Sequence, residues 1–221
     1  MDTDAPLATA TETLTLAQWF SPAFPVGAFA YSHGLEWAID SGSVSDCAAA
    51  QAWIAQVLEH GTGWNDVLFL AASYRAEDEI AVQEVDAIAR AFAASKERLK
   101  ESNLQGAAFC KAVSALSAFT IEGLSYPVAV GCASRYANLP LELTAQMYVQ
   151  SFLSNLVSVA MRLIPLGQSD GQGLIRDLTP LCITIAETAL LHSLDHLSST
   201  TFLADIAAMK HETQYSRIFR T

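Results

Sequence analysis

The chain has 221 residues, 52% of them hydrophobic and 16% charged, with 23 acidic against 12 basic side chains and a formal charge of −11. That length suits one globular domain burying roughly 70–75% of its unfolded surface, and the acidic balance argues against nucleic acid or an anionic membrane as partner, since such affinity rests on clustered Lys and Arg. Four cysteines, Cys47, Cys110, Cys132 and Cys182, stand far apart with no C-x-x-C pair, the pattern of buried thiols in a reducing compartment.

In chain order, the start is acidic where a secretion signal is basic, and no apolar run reaches the ~18 residues of a spanning helix. A cytoplasmic location is expected. Residues 1–13 are rich in Thr and Ala without periodicity and read as a loose tail; a single helical domain is expected over 14–211, followed by a basic tail over 212–221. Ser45 and Asp46 can cap a helix whose Trp53, Ile54, Val57 and Leu58 form one stripe, stopped by Gly61 and Gly63. Val67, Leu68, Ala71 and Ala72 mark a second helix, and Ile80, Val85, Ile88 and Phe92 a third behind an acidic first turn. Ser95 opens a longer helix through Leu116 that the Gly123 to Pro127 stretch breaks. The spacing from Val128 to Tyr136 favours helix over strand, with Pro140 as its end.

The segment 141–166 is apolar around most of its circumference, which fits a helix buried in the core or in a subunit contact, and the second possibility predicts a homodimer. Residues 165–173 read as a tight loop, and a further helix runs to Leu190 with Pro180 as a kink or restart. A last helix covers Phe202 to His211. With no hairpin signal, no alternating strand and no repeat, the fold class is all-α: about eight to ten helices in one bundle.

Chemistry-bearing patterns are sparse. His192 and His196, four apart, would share a helix face as a zinc or nickel pair requires. Ser193 stands where a metalloprotease has its Glu, so capped or surface histidines are the favoured reading and a helical metallohydrolase the alternative. The string that cradles phosphates, G-x-x-x-x-G-K-[ST], is missing, as is a G-x-S-x-G nucleophile turn. A ligand-sensing bundle related to transcriptional regulators would need a basic recognition helix, which the sequence lacks. The last residues, by contrast, gather Lys210, Arg217 and Arg220 with Tyr215 and Phe219, residue types enriched at interfaces.

The opening stretch SPAFPVGAFAYSHGLE, residues 21–36, is irregular amid helices. Phe24-Pro25-Val26-Gly27 reads as a four-residue turn, Ser32 as a helix start, and Phe29, Tyr31 and His33 as side chains presented by a loop. Together with RLIPLGQSDGQ (162–172), YPVAVGCASRYANLP (126–140) and HETQYSRIFR (211–220), the stretch SPAFPVGAFAYSHGLEWAIDSG resembles the urease accessory protein UreF family over about Leu16 to Arg220. Ala30 departs from the family's more frequent Ser. The resemblance implies an all-helical protein with no catalytic centre, bound metal or cofactor. It implies a homodimer that joins UreH (also called UreD) and the GTPase UreG to deliver nickel to apo-urease with GTP hydrolysis. It also implies partner-binding roles for Tyr31, His33, Glu36, Gln168, Gln172, His211, Tyr215, Arg217 and Arg220, and a tail that becomes ordered when UreH docks.

Overall fold

The computed structural model describes residues 8–220; the first seven positions of the expected N-terminal tail lie outside them. Ten α-helices are formed among the described residues: α1 (Ala10–Trp19), α2 (Leu35–Asp40), α3 (Cys47–His60), α4 (Thr62–Arg75), α5 (Glu79–Ala91), α6 (Lys96–Leu116), α7 (Tyr126–Tyr136), α8 (Leu141–Leu163), α9 (Gln168–Ala189) and α10 (Phe202–His211). Short 3-10 turns occupy Ala28–Ala30 and Leu194–His196, and no strand forms among the described residues. The bundle is all-α.

Local chemistry sets most helix starts. The Asp46 carboxylate accepts from the Ala49 amide (2.8 Å), Asp78 from Ala81 (2.9 Å) and the Ser95 hydroxyl from Arg98 (3.0 Å), each satisfying a first-turn donor for about 1 kcal/mol. α1 begins four residues before the expected body, because Thr9 and Glu12 form a reciprocal capping box. α9 likewise begins inside the expected loop, with the Asp170 carboxylate accepting from the Gly167 amide at 2.9 Å. α9 is not restarted at Pro180 but runs through it as one helix; the proline lies on the exposed side, where a missing ladder bond costs least.

α4, α7 and α8 make the centre. Val67, Leu68 and Leu70 of α4 meet Val128, Ala129 and Val130 of α7 in one buried cluster, and α8 adds Val149, Leu153 and Leu156. α4 and α7 approach very closely at Gly131, where a Cβ would stand 2.2 Å from the Leu70 carbonyl oxygen; only glycine fits that crossing. Phe109 anchors the aromatic end, with its ring centroid 5.4 Å from that of Trp19 and 5.7 Å from those of Phe24 and Tyr126. A smaller apolar cluster forms beside it from Leu35, Ala38, Val44, Ala50, Val159, Ala160, Ile164 and Phe219. The apolar circumference of α8 is therefore covered within this chain, and it no longer argues for a subunit contact.

Candidate partner-binding site

The opening segment folds as a run of tight turns, with Pro25 and Val26 at the centre of one of them, as expected. The Val26 amide donates to the Phe24 carbonyl (2.8 Å) and Ala30 to Gly27 (3.1 Å). Ser32 does not start α2, because His33 (φ 52°) and Gly34 (φ 77°) both have left-handed backbones that a helix cannot include. At Gly34 a Cβ would meet the Ala208 nitrogen at 2.6 Å, so α10 rests directly on this turn. The segment also walls a cavity of about 350 Å3, with Phe24 and Phe29 on one side, Tyr148 and Phe152 on another, and Arg98 and Glu101 among its polar lining.

Two charged networks lie under this surface, both built on one side of α6. In the first, His33 Nε2 meets Glu101 Oε1 at 3.1 Å and Arg98 Nη1 meets the same oxygen at 3.2 Å. Arg98 Nη2 donates to Asp66 Oδ2 at 2.7 Å, and the Tyr148 hydroxyl donates to that oxygen at 2.7 Å. Gln105 Nε2 donates to Glu101 at 2.8 Å. Burial opposes the charge on Glu101, yet His33 and Arg98 outweigh it and hold the carboxyl below the ordinary carboxylate range. Burial likewise opposes the charge on Arg98, and Asp66 and Glu101 overcome it, keeping the guanidinium protonated. Burial and then Asp66 push the Tyr148 phenol well up. His33 also sets its ring edge-on to Phe152, with centroids 4.5 Å apart.

The second network ties the C-terminus down. The buried His211 ring lies between Glu36 (Nε2 to Oε2, 3.0 Å) and Glu97 (Nδ1 to Oε2, 2.8 Å). Arg217 Nη1 donates to Glu97 Oε1 at 2.7 Å, while the Ile218 and Phe219 amides donate to the Glu36 carboxylate at 2.6 and 2.9 Å. The Arg220 amide donates to the Ala30 carbonyl at 2.8 Å, and Arg162 stacks its guanidinium over the buried Phe219 ring. Tyr31 is buried; burial and then Glu101 raise its phenol, with the Arg220 side chain opposing. In the structure the tail, expected to become ordered when UreH docks, lies against α2, α6 and the opening segment. Its few apolar atoms are compensated by charged acceptors from α2 and α6, which composition cannot reveal.

The structure thus brings Tyr31, His33, Glu36, His211, Arg217 and Arg220 together. Gln168 and Gln172 stand exposed on the first two turns of α9, outside these networks, and Tyr215 is fully exposed at 104%. Sequence reasoning missed Asp66, Glu97, Arg98 and Glu101. The available signal was Glu97, Arg98, Glu101 and Gln105 at i, i+1, i+4 and i+8, a polar stripe of one helical face. His192 and His196 do not share a helix: α9 ends at Ala189, and their rings pack 4.1 Å apart in the following turn, with His192 against Trp64. Among the described residues no three His, Cys, Asp or Glu side chains gather as metal ligands. Burial pushes the Cys132 thiol to about 11 and Cys182 to about 12, and raises Cys110 as well, which keeps them protonated and poor as nucleophiles. Glu36, Asp66, Glu97 and Glu101 hold the opening segment, α6 and the tail in register.

The family model for UreF matches residues 44–179. A urease accessory protein UreF of Ruegeria pomeroyi is 58% identical over 217 residues, 97% of this chain and all of that protein. One of Roseobacter denitrificans is 53% identical over 94% of this chain and 93% of its own length, and one of Cereibacter sphaeroides 47% identical over 94% and 98%. By this family match and near full-length likeness, the chain belongs to the UreF family of urease accessory proteins.

Proposed function

We propose that this chain is a non-catalytic scaffold of urease maturation. In the cytoplasm it joins UreH (UreD) and the GTPase UreG, and together they promote GTP-dependent nickel insertion into apo-urease. The observation that supports this reading best is the clasp of Glu36, Glu97 and His211, which fixes the C-terminal segment so that Tyr215 and Ile218 (71% exposed) face outward. Clasped backbone with outward aromatic and aliphatic side chains suits a protein partner. In this reading Tyr215, Arg217, Arg220, Gln168 and Gln172 touch partners, while Tyr31, His33, Glu36 and His211 position the surface from beneath. No helix among the described residues is long and apolar enough to cross a membrane.

Complementation tests the reading. Cells that carry urease and the other accessory genes but lack this one should regain urease activity when supplied with the chain, which should co-purify with UreH and UreG. A chain with His192→Ala and His196→Ala should restore activity equally, since the two rings lie in the turn after α9, packed on each other with His192 against Trp64. Full urease activity without the chain defeats the scaffold reading, and activity lost only in the double variant revives the metallohydrolase.

Self-association to a homodimer belongs to the same reading. Its support is no longer α8 but the stripe Phe202, Leu203, Ile206 and Met209 on α10, whose side chains are 68, 74, 46 and 51% exposed. Light scattering at micromolar concentration should give twice the chain mass; a constant monomer mass across a hundredfold dilution series refutes it.

A further inference from the structure

The cavity behind the opening segment runs inward from Phe29, which is 62% exposed, to the buried Asp66, Glu101 and Gln105. At about 350 Å3 it lies at the small end of the ~300–1,000 Å3 range of ligand clefts. Seven aromatic side chains line it, Phe20, Phe24, Phe29, Tyr148 and Phe152 among them, and aromatic faces carry a negative potential that draws cations. Its inner end sets the Asp66 and Glu101 carboxylates against one guanidinium, that of Arg98, which is the one Lys or Arg side chain among the described lining residues. The His33 ring, charged or neutral, at most evens that balance. An anion meets no uncommitted cationic group there, since Arg98 already gives Nη1 to Glu101 and Nη2 to Asp66. The α8 wall adds the half-buried Asn155, whose side-chain amide makes no hydrogen bond among the described residues.

From this lining we infer that the cavity is a binding site for an organic ammonium group carried on a short apolar stem. The stem packs on the aromatic walls, and the ammonium is surrounded by aromatic faces and by acceptors, the carboxylates of the inner end and the Asn155 carbonyl oxygen. The formal charge of −11 favours the approach of a cation. A desolvated contact between a cation and aromatic faces is strong enough for about a tenfold preference over a neutral head of the same size. Two sources can supply this chemistry, a free alkylamine and a lysine side chain of a protein partner. The second source rests on the scaffold reading, whereas the site does not.

Pentylammonium, 1-pentanol and hexanoate share one apolar stem and differ in the head, and together they test the charge preference. Titrated into the nitrogen-15-labelled full-length chain, pentylammonium should shift the Trp19 indole signal and the amide signals of Ser151, Phe152 and Asn155, all from lining residues. It should saturate at about tenfold lower concentration than 1-pentanol, while hexanoate leaves the signals unmoved. Phe29→Ala, at the exposed wall, should weaken pentylammonium binding with an unchanged circular dichroism spectrum, and Glu101→Gln should remove the preference over 1-pentanol. If the Glu101 variant does not fold, the comparison of the three heads on the native chain decides alone. Equal affinity for pentylammonium and 1-pentanol, tighter binding of hexanoate, or no saturable shift with pentylammonium overturns the inference, as does native affinity in the Phe29 variant. Capture by UreH, measured with and without saturating pentylammonium, then separates the sources. Weakened capture assigns a lysine of that partner as the occupant, and undisturbed capture assigns a free amine.

Discussion

Arg98→Met is expected to lower the stability of the chain by about 3–5 kcal/mol, the usual cost of removing one partner from a buried charged network. The guanidinium bridges Asp66 and Glu101, side chains only 8% and 2% exposed, and methionine would fill its place without satisfying either. In urea the midpoint should fall by about 1–2 M at an unchanged slope. The pH dependence gives the cause away. In the native chain Glu101 is held low, so its contribution is present above the unfolded carboxyl value near about 4.3 and fades as pH falls through the folded one. With the arginine gone, burial still opposes the Glu101 charge and only His33 still favours it, so the variant has less of this contribution to lose as pH falls. The gap between native chain and variant should therefore narrow as pH falls below about 4.3, and adding Asp66→Asn and Glu101→Gln should restore much of the loss. A midpoint shift under about 0.5 M, or one indifferent to pH, would show that the network carries little of the fold.

What could be read from the sequence is what local chemistry decides. The starts of α3, α5 and α6 follow from Asp46, Asp78 and Ser95, and the ends of α10 fall at Phe202 and His211 as its apolar spacing indicates. Where contacts distant in sequence decide, the reading drifts. The start of α2 is set by α10 pressing on Gly34, a neighbour more than 170 positions away in the chain. The polar first half of α6 looks like a solvated face, yet Glu97, Arg98 and Glu101 turn inward because Asp66 and His211 arrive from elsewhere. α8 looked greasy enough for a second subunit, but α2, α3, α4, α7 and α9 all pack around it. Motif strings pointed to the clasp because both of its halves fall inside them, Glu36 in the first and His211 in the last. They did not say which residues hold and which are presented, since that is a matter of burial.

Deleting residues 213–221 should abolish capture by UreH, and with it UreG recruitment and urease activation, and the structure changes what else this deletion does. Phe219 fills the smaller apolar cluster and the Glu36 carboxylate accepts two amides of the segment. The truncated chain should therefore lose about 2–3 kcal/mol of stability from the buried ring alone, while the cluster around α4, α7 and α8 stays folded. Lost binding in the deletion could then reflect a loosened α2 and α10 rather than missing contacts. Tyr215→Ala with Ile218→Ser separates the two, because both side chains point outward and neither is part of the clasp. Exposed substitutions of this kind usually change stability by less than about 0.5 kcal/mol, whereas truncating an interface anchor costs about 2 kcal/mol or more, a factor of roughly 30 in affinity. The double variant should melt with the native chain yet bind UreH at least roughly thirtyfold more weakly in titration. Native affinity in the double variant, with binding lost only on deletion, would assign the segment the role of a strut for α10. Native affinity in both would remove it from the interface and leave Gln168 and Gln172 on α9 as the surface to probe.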